Sequence, residues 1–139
     1  MDGLLKVYTD GGSRGNPGPS ASAFVVLAGE KIIYKGSKFL GKRTNNQAEY
    51  NAVIIALKWL SKNSGQGKKV LFYLDSELVV RQLTGVYKIK DLKLGKLAEQ
   101  IKLIESKLDL VVSYTSIVRE KNQLADKLVN KELDSVLKS

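Results

Sequence analysis

The chain has 139 residues, 23 Lys plus Arg against 14 Asp plus Glu, and neither cysteine nor histidine. That length is enough for one hydrophobic core, so a single domain over residues 1–139 is expected. Without cysteine there can be no disulfides and no thiolate metal sites. Without histidine the commonest general base and every Ser-His or Cys-His nucleophile pair are lost, so any hydrolysis must run on carboxylates, Lys, Tyr or metal-polarised water.

In chain order, Leu4 to Asp10 reads as a buried strand. Gly11 to Pro19 is a loop holding both prolines. Ser22 to Ala28 and Lys31 to Leu40 read as two more strands joined by the short hairpin turn Gly29-Glu30. Gly41 to Asn46 reads as a basic, polar loop. A helix follows over Gln47 to Lys62, where Ala48, Ala52, Val53, Ile55, Ala56, Trp59 and Leu60 cover one broad face. Val70 to Leu74 is the fourth strand. Ser76 to Thr84 is a short helix, with Ser76 suited to cap it and Gly85 to stop it. Asp91 to Lys107 is a further helix, Leu110 to Ile117 the fifth strand, and Asn122 to Leu137 the last helix, with Asn122 as its N-cap. The fold class is therefore α/β: a hairpin block, then right-handed crossovers onto the same mixed sheet. The first and fourth strands are the most apolar, as central strands buried on both faces should be.

Four acids sit where a folded chain would rather place something neutral. Asp10 ends the apolar run from Leu4, and Asp75 ends the run Val70 to Leu74. Glu49 falls within the apolar stripe of its helix, pointing toward the sheet, and Asp126 follows Leu124-Ala125. A carboxylate at the edge of a core is costly unless it is paired or binds a cation. If the first and fourth strands lie side by side and parallel, Asp10 and Asp75 emerge together at their carboxyl ends, where open α/β sheets usually bind ligands. In a chain of net charge +9, this suggests a divalent-metal site on a protein built to meet a polyanion.

Four segments then acquire a family likeness. Tyr8-Thr9-Asp10-Gly11-Gly12-Ser13-Arg14-Gly15-Asn16-Pro17-Gly18-Pro19 resembles the opening motif of type 1 ribonucleases H. Thr44-Asn45-Asn46-Gln47-Ala48-Glu49-Tyr50, Leu74-Asp75-Ser76 and Asn122-Gln123-Leu124-Ala125-Asp126-Lys127-Leu128 resemble the second, third and fourth motifs, in order and over essentially the whole chain. The resemblance implies a five-stranded mixed sheet flanked by helices. It also implies endonucleolytic hydrolysis of the RNA strand of RNA/DNA hybrids, with 5′-phosphate and 3′-hydroxyl products and two Mg²⁺ or Mn²⁺ ions as cofactors. Asp10 would bridge both ions, Asp75 and Asp126 would hold the nucleophile side, and Glu49 would serve the leaving-group side and the RNA 2′-hydroxyl. Carboxylates and a substrate phosphate are the hard oxygen donors that Mg²⁺ prefers. Gly11, Asn16 and Asn45 would contact sugars and bases in the minor groove. Thr44, Asn16, Lys42 and Arg43 would grip a DNA-strand phosphate. Lys88 and Lys90, in a basic run with Lys93 and Lys96, lie near the place where larger members carry a basic protrusion that helps bind hybrid.

Three departures from the family pattern stand out. The loop Ser116 to Lys121 lacks the histidine that many members place before the fourth acid. Glu77 stands where a glutamine that contacts RNA is often found. No separate N-terminal hybrid-binding domain precedes Asp10, so low processivity is expected. Competing readings fit less well. Proofreading exonucleases of this fold open with Asp-x-Glu, whereas Asp10 is followed by two glycines. A module that only binds hybrid would be expected to have lost one of the acids, and the opening motif of type 2 ribonucleases H is absent. No run approaches the roughly 20 apolar residues of a membrane span, and no obligate protein partner is evident. A cytoplasmic monomer without membrane association is expected.

Overall fold

The computed structural model describes residues 3–63 and 69–137. Its elements are β1 (Leu4–Ser13), β2 (Gly18–Ala28), β3 (Lys31–Arg43), α1 (Asn45–Asn63), β4 (Lys69–Leu74), α2 (Glu77–Leu83), α3 (Leu92–Lys107), β5 (Val111–Ser116) and α4 (Gln123–Leu137), with a 3-10 turn at Arg119–Lys121. The strands form one five-stranded sheet in the order β3-β2-β1-β4-β5. β1 pairs antiparallel with β2, β2 antiparallel with β3, and β1 and β5 each pair parallel with β4. This is the mixed α/β sheet expected from the sequence, with the elements in the expected order.

Alternation along the strands distributes side chains between two helical layers. Leu5 and Val7 of β1, Phe24 and Val26 of β2, and Val70, Phe72 and Leu74 of β4 face α1 and α3, where Tyr50, Val53, Leu57, Leu60, Leu94 and Ile101 complete the main core. Ala21 and Ala23, of opposite parity on β2, pack instead against Val129 and Leu133 of α4. The sheet therefore lies between α1 and α3 on one face and α4 on the other.

Local signals explain most boundaries. The β2–β3 turn is two residues long, and Gly29 adopts φ +63, the left-handed conformation required at the first position of a type II′ hairpin turn. Ser76 caps α2 by accepting from Val79 N, and Asp91 caps α3 by accepting from Leu94 N.

The structure corrects the sequence reading at three points. β1 and β2 extend well into the Gly-rich segment expected as a loop, and β3 runs on to Arg43 through the segment expected as a basic loop, because ladder pairing continues from Gly11↔Ser22 to Gly18↔Arg43. α1 starts at Asn45 rather than Gln47. Thr44 Oγ1 accepts from Gln47 N at 3.1 Å while Gln47 Oε1 accepts from Thr44 N at 2.9 Å, a reciprocal capping box that uses Gln47 inside the first turn. The strand most nearly buried on both faces is β2, whereas Lys6, Tyr8, Leu71 and Tyr73 of β1 and β4 are only half-buried. Small Ser and Ala residues on β2 let helices approach closely, so burial there does not follow hydrophobicity.

At Gly11, β1 and α1 come into backbone contact. A Cβ on Gly11 would lie 2.2 Å from the carbonyl carbon of Ala48. Because both partners are main chain, neither can rotate away. Gly11→Ala is expected to destabilise the fold by about 3 kcal/mol through overpacking, read as a lower urea midpoint at unchanged m-value. A shift under ~0.5 kcal/mol would show that this contact is not tight.

Candidate active site

The parallel register of β1 and β4 builds the site. Tyr8 pairs with Tyr73, and their rings stack at 4.9 Å. Two residues further along each chain, Asp10 and Asp75 follow at the carboxyl ends. From α1, Glu49 reaches the same point. One carboxylate oxygen from each of Asp10, Glu49 and Asp75 lies within 4.8 Å of the others. Asp10 and Glu49 are each only 6 % exposed, while Asp75 is half-buried. Asp126, half-exposed in the first turn of α4, stands outside this triad but is near enough to act on Asp10.

The fold holds these charges with backbone groups rather than with cations. Gly11 N donates to Glu49 Oε1 at 2.8 Å and to Asp10 Oδ1 at 3.0 Å, which the missing Cβ allows. Ser22 Oγ donates to the Ala48 carbonyl at 2.6 Å and so fixes the turn of α1 that carries Glu49. Glu49 Oε2 is buried without a hydrogen-bond partner among the described residues. Among the described residues, the ion pairs Arg14–Asp134 and Arg81–Glu77 involve none of the four acids. Burial pushes the Asp10 carboxyl up to about 7, and the nearby Asp75 and Asp126 carboxylates add to the rise. Burial, with Asp10 beside it, also holds the Glu49 carboxyl well above its ordinary range. Burial and the crowding of like charges thus favour a proton on the Asp10–Glu49 pair over two bare carboxylates.

The sequence-predicted binding residues fall into two groups. Asn16, Lys42, Arg43, Thr44 and Asn45 line a cleft of about 920 Å³, together with Asp91, Leu92 and Lys93 at the start of α3. They are interlocked: Asn45 N donates to Asn16 Oδ1 at 3.0 Å, and Ser13 N donates to Asn45 Oδ1 at 2.9 Å. Gly11 and Asn45, with Gly12, Arg14, Arg119 and Asn130, line a second cleft containing Asp10 and Asp126. Lys88 and Lys90 are exposed on the segment between α2 and α3 and are not among the residues lining either cleft. Lys93, from the same basic run, does reach the first. Glu77 is exposed and pairs with Arg81 at 2.7 Å, so its charge is engaged on the surface of α2.

Sequence reasoning missed two features. Arg119 lies in the loop noted only for lacking histidine, yet it places a cation at the cleft of Asp10 and Asp126. Asn122 reads as a helix cap, and its carbonyl does accept Asp126 N. Its side chain instead donates to the Thr9 carbonyl at 2.8 Å and to Asp75 Oδ2 at 3.2 Å. The only sequence signal was its place in the fourth motif.

Fold and site together define a class: a mixed α/β sheet whose working end is an acidic cluster at the carboxyl ends of two central parallel strands. A family model described as reverse transcriptase-like matches residues 8–132. LC11-RNase H1, solved in complex with an RNA/DNA hybrid, superposes with a TM-score of 0.91 at 38% identity, covering 96% of this chain and 99% of that one. RNase H1 from the halophilic archaeon Halobacterium salinarum gives 0.88 at 37% identity, covering 95% and 98%. The N-terminal RNase H domain of Rv2228c from Mycobacterium tuberculosis gives 0.88 at 33% identity, covering 97% and 96%. The chain belongs to the ribonuclease H1 family. It spans 65% of the length of the curated Halobacterium ribonuclease HI and 36% of the bifunctional mycobacterial protein Rv2228c.

A raised carboxyl pKa makes the folded state bind its proton more tightly than the unfolded chain does. In chelator, therefore, this contribution is fully present below the ordinary value of 3.8 and is lost as pH rises to about 7. Asp10→Asn should flatten that decline and stabilise the metal-free protein at pH 8 by on the order of 2 kcal/mol. Urea unfolding at pH 5 and pH 8 checks this; identical pH profiles for the two proteins would refute the desolvation argument.

Proposed function

We propose that this chain is a metal-dependent endoribonuclease that hydrolyses the RNA strand of RNA/DNA hybrids, leaving 5′-phosphate and 3′-hydroxyl ends. The observation that carries the reading is the cluster of Asp10, Glu49 and Asp75: three carboxylates, two of them desolvated, gathered with no ion pair to Lys or Arg among the described residues. Family membership and the hybrid bound by LC11-RNase H1 support the substrate class.

The donor set fits a hard divalent cation. The oxygens are close enough to share one, Glu49 Oε2 lacks a hydrogen-bond partner among the described residues, and burial with crowded like charges raises the Asp10 and Glu49 carboxyls. Asp10, Glu49 and Asp75 would hold the metal, Mg²⁺ or Mn²⁺, with Asp126 as a fourth ligand at the cleft wall. Two bound ions would supply charge neutralisation and Lewis-acid polarisation to the scissile phosphodiester.

The remaining work falls to the chain. Asn16, Lys42, Arg43, Thr44 and Asn45, in the neighbouring cleft, would position the strand that is not cut. Thr44 Oγ1 accepts from the backbone within its capping box, which leaves its own proton free to donate to a phosphate. Gly11 presents little bulk to an approaching sugar. Recognition of the 2′-hydroxyl near Glu49 would mark the RNA strand, and Arg119 would offer a positive charge to the phosphate run across the second cleft. One continuous sheet with packed cores on both faces supports reading residues 1–139 as one catalytic domain. No helix among the described residues is long and apolar enough to cross a membrane. We read the protein as a cytoplasmic monomer that needs no protein partner for cleavage.

The test is incubation with a labelled RNA/DNA hybrid in Mg²⁺, in Mn²⁺ and in chelator, beside duplex DNA and single-stranded RNA. Internal cuts confined to the RNA strand of the hybrid, and only with metal, are expected. Asp10→Asn and Glu49→Gln should each lower cleavage on the order of a thousandfold, about 4 kcal/mol of transition-state stabilisation, while hybrid binding persists. Asp126→Asn, outside the triad, should lose less. Metal-independent cutting, or near-normal rates in Asp10→Asn, would refute the assignment.

A further inference from the structure

The β1–β4 ladder ends at Tyr8↔Tyr73, yet β1 continues to Ser13. Beyond that last pair the two strands part, and Asp10 and Asp75 must be held at the right separation without ladder hydrogen bonds. The Thr9 carbonyl stands at this opening. Asn122 fills the place of the missing strand. Its Nδ2 has two protons; one goes to the Thr9 carbonyl at 2.8 Å and the other to Asp75 Oδ2 at 3.2 Å. The residue is 1 % exposed, and its Oδ1 has no hydrogen-bond partner among the described residues. A side chain so enclosed has little room to rotate, and the amide is used here for its donors.

We propose that Asn122 is a positioning residue that sets the orientation of the Asp75 carboxylate relative to Asp10, and through it the metal affinity of the site. Three features separate this role from ordinary helix capping. The side chain makes its bonds away from α4, to two groups on the central strands. By occupying Asp75 Oδ2 it leaves the other Asp75 oxygen as the freer donor toward the cluster. It also joins β1, the end of β4 and the entry to α4, the three segments that carry Asp10, Asp75 and Asp126. An aspartate at 122 would keep the shape but offer no amide donors and add a buried charge. A serine would keep one donor on a shorter arm.

This inference rests on the metal-dependent reading above, so the experiment measures metal binding apart from cleavage. Thermal unfolding of the wild type, Asn122→Ala and Asn122→Ser would be followed across a Mn²⁺ titration without substrate. Hybrid cleavage would then be followed across a Mg²⁺ titration. In Asn122→Ala the Mn²⁺ midpoint of the stability shift is expected to move at least fivefold higher. The Mg²⁺ needed for half-maximal cleavage should rise in parallel, kcat at moderate Mg²⁺ should fall about tenfold, and KM for hybrid should change less than threefold. Asn122→Ser should fall between.

A drop in Tm with unchanged metal midpoints would make Asn122 a structural tie and overturn the proposal. So would loss of folding in both variants. If the wild type binds Mn²⁺ and the variants bind it more weakly, but no protein cleaves hybrid, then the functional reading fails while the positioning role stands.

Discussion

Like charges crowded out of water repel one another, and most of what is particular to this structure can be traced to holding Asp10, Glu49 and Asp75 together against that repulsion. Their oxygens lie within 4.8 Å of one another, and the two most buried residues are each 6 % exposed. No lysine or arginine neutralises them through the ion pairs of the described residues. The chain instead offers one backbone N–H, that of Gly11, to Glu49 and Asp10 at once. That donor reaches both because β1 and α1 touch, and they touch because residue 11 has no side chain to keep them apart. One position thus links local conformation, packing and site electrostatics.

The same contact joins recognition to chemistry. The Thr44–Gln47 capping box fixes the first turn of α1. Glu49 follows within the next turn, anchored through Ala48 to Ser22. Asn45 ties that turn to Ser13, and Asn16 ties the loop back to Asn45. The residues that would meet the uncut strand and the residue that would face the metal therefore belong to one hydrogen-bonded unit. A displacement of the phosphate-side loop would reach Glu49 through short side-chain-to-backbone hydrogen bonds and one turn of helix.

How much of this could be read from the sequence depended on whether the signal was local. The hairpin turn, the Ser76 cap, the order of elements along the chain and the emergence of Asp10 beside Asp75 all follow from short-range chemistry and the pairing rules for parallel strands, and they were legible. Asp126 was legible as a motif residue, but its half-exposed place outside the triad was not. Strand burial was misread because the first half of β2 is largely Ser and Ala, unremarkable in a hydropathy pattern yet buried between α1 and α4. The extent of β1, β2 and β3 was hidden because Gly, Pro and Lys at their ends signal loops, while the antiparallel partners that keep those residues extended are distant in the chain. Asn122 was missed for a related reason. A residue just before a helix has an adequate local role, and the partners its side chain actually takes, Thr9 and Asp75, lie 113 and 47 residues away.

The overall electrostatics then have a simple logic on the proposed reading. A net charge of +9 draws a polyanion toward the protein, and Lys42, Arg43 and Lys93 line the cleft beside the site. The chemical centre itself carries acids and would repel the very phosphate it must bring close. A proton on the Asp10–Glu49 pair, favoured by burial, relieves the repulsion among the acids, but it leaves nothing there to attract a phosphate. A divalent cation does both at once: it takes the place of the proton and sets positive charge at the point where a phosphate must come. A proton needs one oxygen whereas a cation takes several at once, so carboxylates already gathered before the cation arrives favour the metal. Gly11 and Ser22 hold Glu49 in place in the metal-free fold, and on the role proposed for it Asn122 does the same for Asp75.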